Sequence, residues 1–137
     1  MIKQPNPMPS GERRVGPAHL RVRQCTALPE RMRAKTREIV DVETPFAEQG
    51  KGYATTLMHK VCREADAAGL VLVLSPQPWG DNINLSKEQL VDWYERGFGF
   101  AVIQHEPMTL MARMPGATPR LLQLNPVTEA LQKEKTQ

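Results

Sequence analysis

Apolar and polar positions change period several times along this chain, and each change marks an element. Over residues 19–25 apolar and charged positions alternate, Leu20 and Val22 against Arg21 and Arg23, which predicts a half-buried strand. Residues 38–44 have the β-branched content of a second strand, with Ile39, Val40 and Val42. Gly50, Lys51 and Gly52 follow, and the period then becomes helical. Ala54, Leu57, Met58, Val61, Cys62 and Ala65 share one face, with Lys60, Arg63, Glu64 and Asp66 elsewhere, and Gly69 supplies a left-handed stop. Residues 70–74 are apolar at every position, as in a strand covered on both faces. The right-handed crossover rule sets this strand parallel to the one at 38–44.

Ser86 reads as a helix N-cap with Gln89 at the capping-box position, Leu90, Trp93 and Tyr94 on the buried side, and a stop at Gly97. Residues 100–103 and 108–112 read as two closing strands joined across His105, Glu106 and Pro107. At the front, Pro5, Pro7, Pro9, Gly11, Gly16 and Pro17 give residues 1–17 the character of a mobile arm. Residues 27–35 read as a helical turn or a basic loop. From residue 115 the pattern turns polar, and Asn125-Pro126 would start a short terminal helix reaching about Lys133. The expected organisation is an arm (1–17), one α/β domain (18–114) and a polar extension (115–137), since 137 residues leave room for one modest core.

Charge divides the chain differently. Residues 1–37 hold nine Lys or Arg against two acids, and the remaining hundred hold nine against thirteen. A basic leading segment of this kind could meet nucleic acid or an acidic partner, and nucleic acid stays open. The lack of interleaved aromatics favours a solvated basic face over base stacking. No run approaches the ~18 apolar residues of a membrane span, and no secretory h-region opens the chain. Cys25 and Cys62 read as buried thiols suited to a reducing cytoplasm. His19, His59 and His105 have no metal-ligand spacing, so no metal is expected.

The strand, glycine turn and helix at 38–69 bring free backbone N–H groups and the positive end of a helix dipole to one point, which makes an anion site. The spacing is not that of a P-loop, and Thr55 stands where the dinucleotide pattern needs its third glycine. What fits is Gln49-x-x-Gly52-x-Ala54. It resembles the acetyl-CoA pyrophosphate motif of the GNAT superfamily of N-acetyltransferases: Gln or Arg, two residues, Gly, one residue, then Gly or Ala. The likeness continues through Glu38-Ile39-Val40 and, seven residues later, Glu48-Gln49-x-Lys51-Gly52-Tyr53-x-Thr55-x-Leu57-Met58, which is similar in spacing to the superfamily's histone acetyltransferases. Residues 92–100 resemble the Tyr-x-Lys-x-Gly-Phe element that ends the last GNAT helix. Two successive Gly-Phe pairs leave the register open. Anchoring on Gly97-Phe98 puts Trp93 at the tyrosine position, whereas anchoring on Gly99-Phe100 places Tyr94 one residue early. Asn82 and Asn84 lie in the preceding loop, ahead of the helical position where the family often has an Asn.

The resemblance implies a GNAT-like three-layer α/β fold, with a mixed sheet of about five to six strands flanked by helices and a shortened N-terminal region. It implies acetyl-CoA as co-substrate and acetyl transfer to a primary amine. Gln49, Gly50, Lys51, Gly52, Tyr53, Ala54 and Thr55 would surround the pyrophosphate. Val42, Glu43 and Thr44 would present backbone to the pantetheine, with the Val42 N–H as candidate donor to the thioester oxygen. Glu38 occupies the position of the general base in the resembling histone enzymes. Alternation sets it on one face with Val40 and Val42, and Asp41 and Glu43 are reserves. A surface carboxylate paired with an arginine remains the other reading of Glu38. Tyr94 is a candidate acid for the leaving thiolate or else a pocket-wall tyrosine. Trp79 could line the acceptor side or pack under its loop. Cys62 is an improbable acyl carrier.

Family members usually open with a strand and two helices that wall the acceptor groove. About twenty residues cannot supply them here. The expectation is therefore an exposed apolar surface completed by a homodimer, or an open groove suited to a protein or other macromolecular acceptor. An alternative to the enzyme is a non-catalytic acyl-CoA-binding module that uses its basic segment on a partner. A weaker one is a cofactor-free α/β protein.

Overall fold

A computed structural model of the chain describes residues 8–25, 29–44, 50–77 and 85–118. The elements run β1 (Gly11–Val15), β2 (Ala18–Gln24), α1 (Glu30–Arg33), β3 (Thr36–Glu43), α2 (Tyr53–Ala68), β4 (Val71–Leu74), α3 (Lys87–Phe98), β5 (Ala101–Gln104) and β6 (Leu110–Arg113). Six strands form one mixed sheet in the order β1-β2-β3-β4-β6-β5, parallel only between β3 and β4. The α/β class with a mixed sheet and flanking helices is the one the sequence implies.

The long helix α2 buries Leu57, Met58, Val61, Cys62 and Ala65, the face its period predicts, against β1, β2 and β4. Gly69 ends it at φ 69°, its N–H bonded to Ala65 and Asp66 carbonyls. The core joins this face to Leu20 and Val22 of β2, Ile39 of β3, Leu72 and Leu74 of β4, Met111 of β6 and the stripe Leu90, Tyr94 and Phe98 of α3. The capping box of α3 forms as expected. Gln89 N–H donates to Ser86 Oγ at 3.1 Å, and Ser86 N–H donates to Gln89 Oε1 at 2.8 Å. No described helix is long and apolar enough to cross a membrane.

Two boundaries differ from the sequence reading. The expected arm contains β1, and Met8 is buried in the core. Strand β1 escapes notice because its α2-facing side carries Arg13, which binds Glu64 of α2 through Nε and Nη2 at 2.9 and 2.8 Å. Residues 30–33 form a single helical turn, one of the two readings of 27–35. Helix α3 passes through Gly97 and ends at Gly99, φ 82°, because Phe98 extends the buried stripe by one more turn. The expected terminal helix near Asn125 lies outside the described residues.

Candidate functional site

Two features of β3 open the sheet beside it. On the β2 side His19 pairs with Glu43 and Arg21 with Val40, so β3 carries one extra residue there. This is a β-bulge, with Asp41 at φ 56°, a conformation that Asp tolerates better than most side chains. On the β4 side the parallel pairing covers Thr36, Arg37 and Glu38 against Val71, Leu72 and Val73. Beyond Glu38 the two strands part. The carboxyl ends of β3 and β4 then border a cavity of about 260 Å³, lined by residues 38–42, Leu74, Gln77, Tyr94, Met108 and Arg23. Divergent carboxyl ends of parallel strands are the usual ligand position in open α/β sheets.

The same end of β3 leads into the glycine turn. Gly50 and Gly52 both sit at positive φ, 82° and 86°, and a Cβ on either would meet nothing within 4 Å. Gly52 caps α2 without any side-chain bond, and the first helical bond runs from Thr56 N–H to Gly52 C=O. Among the described residues nothing accepts from the N–H groups of Tyr53, Ala54 and Thr55, so these donors stand together at the positive end of the helix dipole. The Tyr53 side chain turns away. Its ring packs on the β1–β2 turn, where a Cβ on Gly16 would fall 2.8 Å from Cε1. Only the backbone of Tyr53 can serve an anion. Gln49 lies outside the described residues, as do Trp79, Asn82 and Asn84.

Glu38 and Tyr94 both line the cavity. Glu38 is one-fifth exposed, and its Oε1 accepts from Arg23 Nε at 2.9 Å, so the carboxylate has an arginine partner from the neighbouring strand. The bulge also changes the expected alternation. Glu38 and Val40 stand opposite Arg23 and Arg21, whereas Val42 packs against the core, as Ile39 does. Asp41 lies 3.5 Å from Arg21, and Glu43 lies 3.3 Å from His19. Tyr94 is 5% exposed, and burial pushes its phenol well above the ordinary value. Its ring touches Trp93, Phe98 and Phe100. Its hydroxyl has no hydrogen-bond partner among the described residues, which leaves the proton available to whatever occupies the cavity.

A second cavity, about 230 Å³, lies between α2, the end of α3 and the chain after β6. Cys62 lines it, but burial pushes that thiol up to about 11, so it is a poor nucleophile at neutral pH. Among the described residues no group of three or more His, Cys, Asp or Glu could hold a metal.

Arg23 is the cavity residue that sequence reasoning missed. Its alternation with Val22 shows that it faces away from the core, but only the β2–β3 register places it against Glu38. The face of β1–β3 away from α2 is charged instead of apolar: Arg14 meets Glu12, Arg21 meets Asp41 and Arg23 meets Glu38. At the cavity itself, Met108 is a half-exposed apolar lining residue. Paired charges let the sheet face water without a covering helix.

No family model matches the chain, and no curated protein does. Among solved structures it is similar to the anti-CRISPR protein AcrVA5, with a TM-score of 0.56, 20% sequence identity and coverage of 75% of this chain and 96% of that one. A likeness at that identity is one of fold.

Proposed function

We propose that this chain is an acetyl-CoA-dependent N-acetyltransferase of the GNAT type. The observation that carries the reading is the parting of β3 from β4 beside a bulge, on the strand that precedes a glycine-led helix with no side-chain cap. The parted strand would receive an extended acyl-pantetheine arm, and the N-terminal donors of α2 would receive a diphosphate. Backbone donors at Gly50 to Thr55 hold the pyrophosphate in this reading, and residues 42–44 flank the arm.

The chemistry follows from the groups at the cavity. An alkyl ammonium with a pKa of about 10.4 must lose a proton before it attacks. Glu38 takes it, directly or through water. The amine nitrogen bonds to the thioester carbon, the C–S bond breaks, and the thiolate receives the Tyr94 phenol proton. The phenol regains a proton from the nitrogen that becomes the amide. Buried cysteines outside any disulfide, Cys25 and Cys62, suit a cytoplasmic setting.

The second reading is an acyl-CoA-binding module without turnover, and the Arg23–Glu38 pair favours it because the base candidate already has a partner. Two measurements separate the readings. Equilibrium titration with acetyl-CoA should give saturable binding under both. Thiol release in the presence of amines should occur only for the enzyme. Absence of acetyl-CoA binding overturns both.

A further inference from the structure

The cavity beside β3 has an uneven charge pattern. Glu38 and Asp41 are its lining acids, Asp41 with its carboxylate 3.5 Å from Arg21, and Arg23 is its one lining cation among the described residues. Arg23 engages Glu38 through Nε alone, and its side chain is 56% exposed. Among the described residues neither of its terminal nitrogens has a partner. The contrast with Arg113 is sharp, since that guanidinium uses Nε, Nη1 and Nη2 on Phe98, Asp66 and Ala117. Arg23, a lining residue of the cavity oriented by its bond to Glu38, therefore keeps its forked terminal N–H groups for another partner. Such a fork matches the oxygens of a carboxylate or a phosphate.

A purely cationic amine entering here would face the guanidinium, and a purely anionic ligand would face the Glu38 carboxylate. A molecule with both charges close together meets each with its opposite. With hydrogen bonds of about 2.9 Å on either side, an ammonium at Glu38 and an oxyanion at the Arg23 terminus would be separated by only two or three atoms of spacer. We propose that the acceptor site takes a primary amine bearing an oxyanion, carboxylate or phosphate, about two carbons from its nitrogen, with Arg23 binding the oxyanion and Glu38 facing the amine. The inference rests on the acetyl-transfer reading of the same cavity. It adds the class of acceptor and names Arg23 as the specificity-determining residue.

The test uses three amines that differ only at the far end of a two-carbon chain: ethanolamine, β-alanine and phosphoethanolamine. Dissociation constants are measured by NMR titration at low ionic strength with the full chain, with and without acetyl-CoA. β-Alanine and phosphoethanolamine should each bind about tenfold or more tightly than ethanolamine, a margin that falls as salt is added. Arg23→Gln should bring the three within about twofold of one another, and Arg23→Lys should restore part of the difference. A preference for β-alanine alone assigns a carboxylate, and one for phosphoethanolamine alone assigns a phosphate. Equal binding of all three by the unaltered chain, no binding of the anionic pair, or an unchanged preference in a folded Arg23→Gln variant overturns the inference. Acetyl-CoA affinity in the same samples reports separately on the transferase reading, so either can fail without the other.

Discussion

Asp66 of α2 and Arg113 of β6 form a two-pronged ion pair, Nη1 to Oδ1 at 2.7 Å and Nη2 to Oδ2 at 3.1 Å. The pair joins four parts of the fold. Arg113 Nε donates to the Phe98 carbonyl at the end of α3, and its Nη2 donates to the Ala117 carbonyl. The Gly116 N–H donates to Asp66 Oδ1 at 2.7 Å. Position 99 is closed by the same turn, since a Cβ there would fall 2.7 Å from the Thr118 carbonyl oxygen.

Losing Asp66 should therefore cost more than a surface ion pair. The Arg113 side chain is only 5% exposed, and Asp66→Ala strands its charge. The expected loss is about 2 kcal/mol, below the ~3–5 of a fully buried pair because the carboxylate is one-third exposed. The bond from Arg113 holds the Asp66 carboxyl below its ordinary value, helped by the Gly116 N–H. A depressed folded pKa gives stability that is present above the unfolded value, near ~3.9, and is lost as pH falls through the lower folded value. Urea titrations from pH 5 downward should show the unaltered chain weakening, with a shallower slope for Asp66→Ala. Parallel slopes would remove the pair from acid stability.

How much of this was legible beforehand depended on whether a local pattern alone determined the outcome. The stripe of α2 and the capping box of Ser86 and Gln89 are local, and both form as their patterns predict. Strand β1 is invisible to periodicity because an arginine bonded to Glu64 stands where an apolar residue would signal burial. The bulge at Asp41 needs a residue that tolerates positive φ but no motif, so alternation put Val42 on the wrong face. The sequence reading stops α3 at Gly97, but the burial of Phe98 carries the helix on to the cap at Gly99. The partner of Glu38 depends on register between strands, which no single segment contains.

The anion site can be tested without disturbing the fold. Thr55 is exposed in the first turn of α2, the third residue after the Gly52 cap. An aspartate there favours the helix dipole by about 0.3–1 kcal/mol, yet it sets a negative charge among the donors meant for a diphosphate. Thr55→Asp should hold or raise Tm while acetyl-CoA affinity falls about ten- to a hundredfold. Substituting Gly52 is less informative, because its φ of 86° adds strain to any side chain. Unchanged affinity in the Thr55→Asp protein would remove the pyrophosphate assignment.

Glu38→Gln keeps the size of the side chain and a carbonyl oxygen for Arg23. Acetyl-CoA affinity should stay within about twofold, since Glu38 does not touch the diphosphate site, while turnover with amines drops on the order of 10²-fold at pH 7. The deficit should shrink as pH approaches the amine pKa of about 10.4, where free amine no longer needs a base. A profile unchanged in shape and height would leave Glu38 as the orienting partner of Arg23 and nothing more.

Tyr94→Phe separates chemistry from packing most directly. The ring contacts with Trp93, Phe98 and Phe100 all survive the change, and the hydroxyl has no bonded partner to strand. Removing it should leave Tm within a few degrees, in contrast to the usual cost of about 1 kcal/mol or more for a lost buried hydrogen bond. Turnover should nevertheless fall on the order of 10²-fold, because the thiolate would leave without its proton donor. Burial raises the phenol's pKa, so the acid form persists beyond its ordinary range. The unaltered enzyme should thus lose no activity to tyrosine ionisation between pH 7 and about 10. Full turnover by the phenylalanine variant, with Tm unchanged, would assign Tyr94 to the wall of the cavity and require the thiolate to take its proton from solvent.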